Sequence, residues 1–391
     1  MNSEPSISVP RSEAQVALPV KVTGYSIQNA FSSIHRSFQW CFGGLTIAVM
    51  LAVLAVFPAL NLVSLGYLMK ASGRVATTGR LRDGCIGFRK AAHIGGILVG
   101  IWLCCWPIRL VMDLAGDAVL ISPDQSLSTR FQLGFGILMV LTLGHILWAL
   151  ARGGCLRHFL WPAPWRFLRW MKNPSRLPLP HVSHFRFFNP SLILSCFKIG
   201  LAGFLGALVW LAIPVWTIYT ATTLSKDPGI LVSMLGGLLL SVVAVYLPFL
   251  QVQYASEPDW KNLFNLRKVR NRFLHAPFAF AVGLLVTLLF SVPLYLLKVE
   301  LAPRELAWLP SLFFVVLIFP ARLICGWAMH RSIRKTDRSH FLWRMLCRFG
   351  VVAIGLIYGM MIFFTQYLSW NGTWSLLEQH AFMVPAPWLS L

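Results

Sequence analysis

The sequence predicts an all-α integral membrane protein, a polytopic transmembrane helix bundle of seven to eight spans. Three observations carry that expectation. Hydrophobic residues make up 57% of the chain and charged residues only 12%, against roughly 25% charged in an ordinary soluble domain. The mean hydropathy is +0.67. The apolar residues fall into long runs of about the length that crosses a bilayer, near 20 residues, rather than into short periodic stripes.

The net charge of +21 arises from 34 Lys and Arg against 13 Asp and Glu. Four segments, 70–92, 152–190, 251–275 and 329–349, hold 24 of those basic residues beside only four acids, Asp83, Glu257, Asp259 and Asp337. The intervening connections hold Asp113, Asp117, Asp124, Asp227, Glu300 and Glu305. This is the positive-inside distribution, which puts the four basic segments in the cytoplasm against anionic phospholipid headgroups. No recognition module accompanies the charge, so nucleic acid is not the expected partner; lipid is.

Residues 1–38 are polar and without a clear period, and they read as a mostly disordered tail with a short helix near Tyr25 to Phe38. Residues 39–370 form the bundle, and residues 371–391 a short tail at the outer interface. The first apolar run, Cys41 to Met69, is too long for a signal peptide, and it fits neither one crossing nor two. A single crossing would put the N-terminal tail outside. A re-entrant hairpin bent at Pro58 to Asn61 would keep it inside and is favoured, because it spares the tail from translocation. Lys70 to Lys90 then reads as an amphipathic or irregular cytoplasmic segment.

The stretch Phe57-Pro58-Ala59-Leu60-Asn61-Leu62-Val63-Ser64-Leu65-Gly66-Tyr67-Leu68, followed by a loop of Gly and Arg, resembles a motif of uncharacterised bacterial multi-pass membrane proteins. The resemblance covers about the first third of the chain. It implies a bacterial inner membrane and no assigned activity.

The further spans are expected at His93 to Met112, Phe131 to Ala151, Leu192 to Ala221, Ile230 to Leu250, Ala276 to Leu297, Leu306 to Trp327 and Val351 to Leu368. Gly96 with Gly100, the glycines of Gly200 to Gly206, and Gly355 with Gly359 are small-residue pairs that let helices approach closely. Between the third and fourth spans, Trp161, Trp165, Trp170 and several Phe alternate with Arg and Lys. Five prolines break that segment into short pieces lying in the interface plane. Pro107, Pro214 and Pro293 recur toward the outer ends of the second, fourth and sixth spans, a weak hairpin repeat.

The candidate site is a polar recess at the outer mouth formed by Arg109, Asp113 and Asp117, with His145 on the third span. The first three share a helix face at i, i+4 and i+8. Carboxylates at a helix C-terminus oppose its dipole, so either the helix ends before Asp113 or Arg109 and other spans compensate them. Lys198 and Arg322 are placed to reach the cytoplasmic headgroups, and His145 to hydrogen-bond between helices.

The eight cysteines form no C-x-x-C pair, and His181 with His184 lacks the Glu of a zincin, so neither structural disulfides nor a metal or other cofactor is expected. G-x-S-x-G, H-E-x-x-H and P-loop motifs are absent. Asp83-Gly84 with Asp113 and Asp117 departs in spacing from the metal-binding aspartates of membrane CDP-alcohol phosphotransferases. The function expected is non-enzymatic, a membrane scaffold, assembly partner or transporter-like component, with an intramembrane enzyme acting on lipid as the alternative.

Overall fold

In the computed structural model, residues 27–121, 125–172, 190–296, 308–368, 372–377 and 383 are described. They form twelve α-helices and no strand. Eight of the helices are long and apolar enough to cross a membrane, which makes the chain a multi-pass membrane protein.

The first apolar run resolves into two long helices, α1 (Ile27–Val56) and α2 (Pro58–Thr78). Phe57 is extended, at φ −87° and ψ 129°, and Pro58 starts the new helix with its φ already fixed. The Ser64 hydroxyl donates to the Leu51 carbonyl at 2.8 Å. In a continuous helix residues thirteen apart would stand ~20 Å apart, so the chain reverses sharply at Phe57 and Pro58. The reversal, at Phe57, falls just before the expected Pro58 to Asn61 bend, whose residues are already helical in α2, and α1 begins at Ile27. That moves the boundary of the 1–38 tail, whose residues 1–26 lie outside the described residues.

Helix α2 is the hub. Of its 21 residues, 13 are buried, among them Asn61, Leu65, Leu68, Met69 and Ser72. Four helices close around it: α1, α7 (Pro190–Ala221), α8 (Lys226–Ser256) and α11 (Trp308–Arg334). The contacts are backbone against backbone. A β-carbon on Gly66 would land on the Cys196 carbonyl, one on Gly200 on the Leu62 carbonyl, and one on Gly326 on the Ser72 carbonyl. Lipid supplies no hydrophobic force between helices, so this close approach is what associates them. Gly79 ends α2 at φ +77°, donating to the Val75 carbonyl, in the left-handed conformation that glycine adopts freely. Lys70 to Thr78 is therefore helical, as the amphipathic alternative had it and not irregular, with Ala71 to Gly73, Val75 and Ala76 buried and Arg74, Thr77 and Thr78 exposed. Only the turn after Gly79, with a short 3-10 helix Leu81–Gly84, connects to α3 (Phe88–Ile121).

The contacts also fix direction. Leu62 and Gly66 face Gly200 and Cys196, so α7 runs against α2. Ser72 and Ala76 face Gly326 and His330, so α11 runs with it. Gly203 lies by Gln251 and Ile218 by Gly236, so α8 runs against α7. Ser241 and Val245 meet Gly359 and Gly355 of α12 (Phe341–Leu368), which runs against α8. Phe278 and Ser291 of α10 (Pro277–Leu296) meet Trp343 and Tyr358, so α10 runs with α12. Helix α3 runs with α1, through Gly43 against Phe88 and Thr46 against Gly95. The connections rich in Arg and Lys therefore emerge from one end of the bundle, the basic face.

Two departures from expectation follow at the edges. Helix α12 begins at Phe341, ten residues before its apolar run. The C-terminal tail is not merely interfacial, since the 3-10 helix Gly372–Leu377 packs on α7 and α12, with Leu376 and Met383 buried in the core beside Tyr358. Helices α3 and α4 (Gln125–Ala151) form a peripheral hairpin, exposed on most of their apolar surface.

If backbone contact at α2 holds the bundle, Gly66→Ala is expected to lower stability by about 1 to 3 kcal/mol through overpacking. Gly144→Ala on α4, where nothing lies within 4 Å of an added β-carbon, is expected to be neutral or to stabilise by up to ~1 kcal/mol. Thermal unfolding of both variants in detergent checks the contrast.

Candidate functional site

The four residues of the expected recess do not converge. Helix α3 continues unbroken through Pro107 to Ile121, so it does not end before Asp113. Arg109, Asp113 and Asp117 all lie exposed along it, as the helical spacing required, but their face points out of the bundle. Among the described residues the only ion pair is Lys268 with Glu257, so Arg109 does not pair with the carboxylates.

His145 of α4 is half-buried, and its Nε2 donates to the Phe159 carbonyl at 2.7 Å. That carbonyl also lies 3.9 Å from the Cys104 thiol. Asp113 and Asp117 stand a further ~14 Å and ~20 Å along α3 from that level. His145 thus serves the short helix α5 (Leu156–Leu160), which folds back between α3 and α4. Gly100 leaves the space that the Phe159 ring fills, and Trp148 and Arg152 donate to the Pro162 and Trp161 carbonyls. Up to Lys172 the aromatic, basic segment is in short pieces, α5 and α6 (Pro164–Lys172), as Pro162 and Pro164 suggested; residues 173–189, with the other three prolines, lie outside the described residues. His181 and His184 lie outside the described residues. Among the described residues no three His, Cys, Asp or Glu side chains come close enough to hold a metal.

Lys198 is exposed near the basic end of α7. Arg322 does not reach the headgroups: its side chain is enclosed in the bundle and only 2% exposed. Sequence spacing gives no hint of which way that side chain turns.

A different site emerges on the far side of α8 from the α2 hub. A crevice of about 530 Å³ opens between α8, α10 and α12, with the short helix α9 (Leu266–His275) at its basic end. Its walls are apolar, from Leu238 to Phe249 on α8, Phe280 and Leu284 on α10, and Val351 to Leu356 on α12. Arg270 of α9 and Arg348 of α12 line its basic end, both exposed. The lining contains no carboxylate, imidazole or thiol. The Ser241 hydroxyl is engaged by the Gly237 carbonyl at 2.9 Å.

The position of Arg270 depends on how α9 is tied down. The Asn265 side chain caps the helix by accepting from Lys268 N at 3.0 Å. Asn262 links Gln253 of α8 to the Glu257 carbonyl, and Leu263, wholly buried, brings its carbonyl within 3.0 Å of the Trp210 indole. Lys268 and Glu257 form the charged tie at 2.6 Å. The hydrogen bond from Lys268 holds the Glu257 carboxyl below the usual carboxylate range.

A crevice walled by hydrocarbon and opened at one end by two guanidinium groups can hold an amphiphile with an acidic head. Comparison with protein-family models, curated proteins and solved structures finds no match to this chain.

Because the folded pKa of Glu257 lies below its unfolded value, its contribution is present above about pH 4.3 and is lost as pH falls through the lowered folded value. The pair is largely solvated, so the effect on α9 is expected to be local. A spin label at Arg267→Cys is expected to gain mobility on acidification to that range. In a Glu257→Gln background it is expected to be mobile at both neutral and acid pH.

Proposed function

We propose that this chain is a non-enzymatic membrane component of a bacterial inner membrane, a lipid-bound scaffold that holds an anionic phospholipid in the crevice between α8, α10 and α12. The observation that carries this reading is the distribution of chemistry along the crevice. From Arg348 to Leu356 it runs eight residues, ~12 Å, from a cationic mouth into apolar walls. That order matches a phospholipid lying with its phosphate at the cytoplasmic headgroup level and its acyl chains inside.

The orientation rests on the positive-inside asymmetry, with the basic face in the cytoplasm. In this setting the α1–α2 hairpin enters from the cytoplasmic side and turns back. Helix α1 is long and apolar enough to cross, whereas the apolar stretch of α2, 12 residues from Pro58 to Met69, measures ~18 Å, short of a hydrocarbon core of about 30 Å. The bacterial setting rests on the resemblance of Phe57 to Leu68 to uncharacterised bacterial multi-pass proteins. An enzyme acting on lipid would need an acid, base or nucleophile facing its substrate, and the crevice lining offers two arginines, the Ser241 hydroxyl engaged by Gly237 and the Tyr246 phenol, with no carboxylate, imidazole or thiol.

Each arginine near the membrane surface contributes about 1 kcal/mol toward an anionic lipid, so their joint loss is expected to weaken binding roughly 30-fold. Native mass spectrometry of the full chain with added phosphatidylglycerol or phosphatidylcholine tests this. Preferential retention of phosphatidylglycerol, lost in Arg270→Gln with Arg348→Gln, is the expected result. Equal retention of both lipids, or an unchanged preference in the double variant, would overturn the reading.

A further inference from the structure

Arg322 presents a second, unrelated problem of charge. It lies near the middle of α11, twelve residues before the helix's basic end and so ~18 Å along the axis from it. Its side chain is enclosed, and Nε, Nη1 and Nη2 have no hydrogen-bond partner among the described residues. A guanidinium does not lose its proton in a protein, so it cannot escape the cost of burial by becoming neutral. Hydration could satisfy its N–H groups but would leave its net charge uncompensated in a low-dielectric interior. None of the described carboxylates forms an ion pair with it.

The surroundings are polar and hydroxylic rather than acidic. Cys325 stands about one turn beyond Arg322 on α11, and Tyr358 of α12 is its other ionisable neighbour. Both are buried, as are Thr287 and Ser291 on α10. The Tyr358 hydroxyl donates to the Ser291 hydroxyl at 3.4 Å, a long bond, and Ser291 donates in turn to the Thr287 carbonyl at 2.6 Å. Thr287 lies 3.4 Å from the Cys325 thiol. Three helices thus bring a permanent cation and a chain of hydroxyl groups to one enclosed point. An ionisable group inside a membrane protein is a functional site by default, and here the missing component is negative.

We infer that Arg322 is the centre of an enclosed binding site for one small inorganic anion, a halide or an oxyanion such as phosphate. The guanidinium supplies the charge and a fork of N–H donors. The Tyr358 hydroxyl turns from its long bond with Ser291 toward the anion. The burial of Arg322, Cys325, Ser291 and Tyr358 separates this point from the lipid in the crevice.

The test is equilibrium binding of radiolabelled chloride and, separately, inorganic phosphate to the full chain purified in a nonionic detergent and gluconate buffer. Saturable binding of one of the two, near one anion per chain, is expected. Arg322→Met is expected to weaken it at least tenfold, and Tyr358→Phe about threefold or more. Both should keep the phospholipid preference of the crevice, while Arg270→Gln with Arg348→Gln should keep the anion, so the two sites fail separately. Should Arg322→Met not fold, Tyr358→Phe and Arg322→Lys decide, the latter keeping the charge but losing the fork and weakening the anion. Absence of saturable binding of either anion to the native chain, or unaltered affinity in the folded variants, would overturn the assignment.

Discussion

Close approach of backbones around α2 is the constraint on which the rest of this molecule depends. Within a bilayer, helices gain nothing by hiding apolar side chains from one another, because lipid is as apolar as leucine. What holds them is contact at short range, and glycine permits it. Gly66, Gly200 and Gly326 each sit where a single added carbon would strike a neighbouring carbonyl. Helix α2 carries Lys70 and Arg74 in its second half and is too short in apolar length to be a good span by itself. Its stability comes from four neighbours, and their positions come from it.

The same constraint places the crevice. One side of α8 is committed to α2 and α7, and its other side faces α12 and, through Phe249 against Phe280, α10. The crevice forms there, on the lipid-facing side of the second layer. The basic ends of the helices share one face because α2 reverses the chain and the later helices alternate in direction. Short pieces such as α9 then lie at that face, tied by Asn262, Asn265 and the Glu257 and Lys268 pair. The α3–α4 hairpin stands outside this arrangement, packed through α3 on α1 and exposing most of its apolar surface. A densely packed centre, an intermediate layer with the crevice and a peripheral hairpin make three levels of contact density. Local stability is expected to follow the same order.

The spans were legible in the sequence because length and apolarity are sufficient signals. The run from Cys41 to Met69 was ambiguous because no charge marks the reversal at Phe57 and Pro58. Helix α12 was cut short because Arg344 and Arg348 lie on its first turns, where cations reach the interface without ending the helix. The spacing of Arg109, Asp113 and Asp117 correctly indicated one face of one helix. Spacing says nothing of whether that face turns in or out, and it turns out. For Arg322 the same blindness worked in reverse, since a cation in the inner half of a span reads as snorkelling until its direction is seen. The crevice was beyond reach. Its walls come from segments more than a hundred residues apart, and Arg270 and Arg348 are two among 24 basic residues of the four basic segments.

The distance between spin labels at Gln39 of α1 and Thr77 of α2, both exposed, measures the reversal most directly in a chain whose native cysteines have been replaced. A hairpin centred on Phe57 and Pro58 predicts a separation of under about 30 Å between these legs, in bilayers as in detergent. A continuous helix across the same run would put the labels ~57 Å apart, and a distance near that value would contradict the buried hub and the shared basic face built on it.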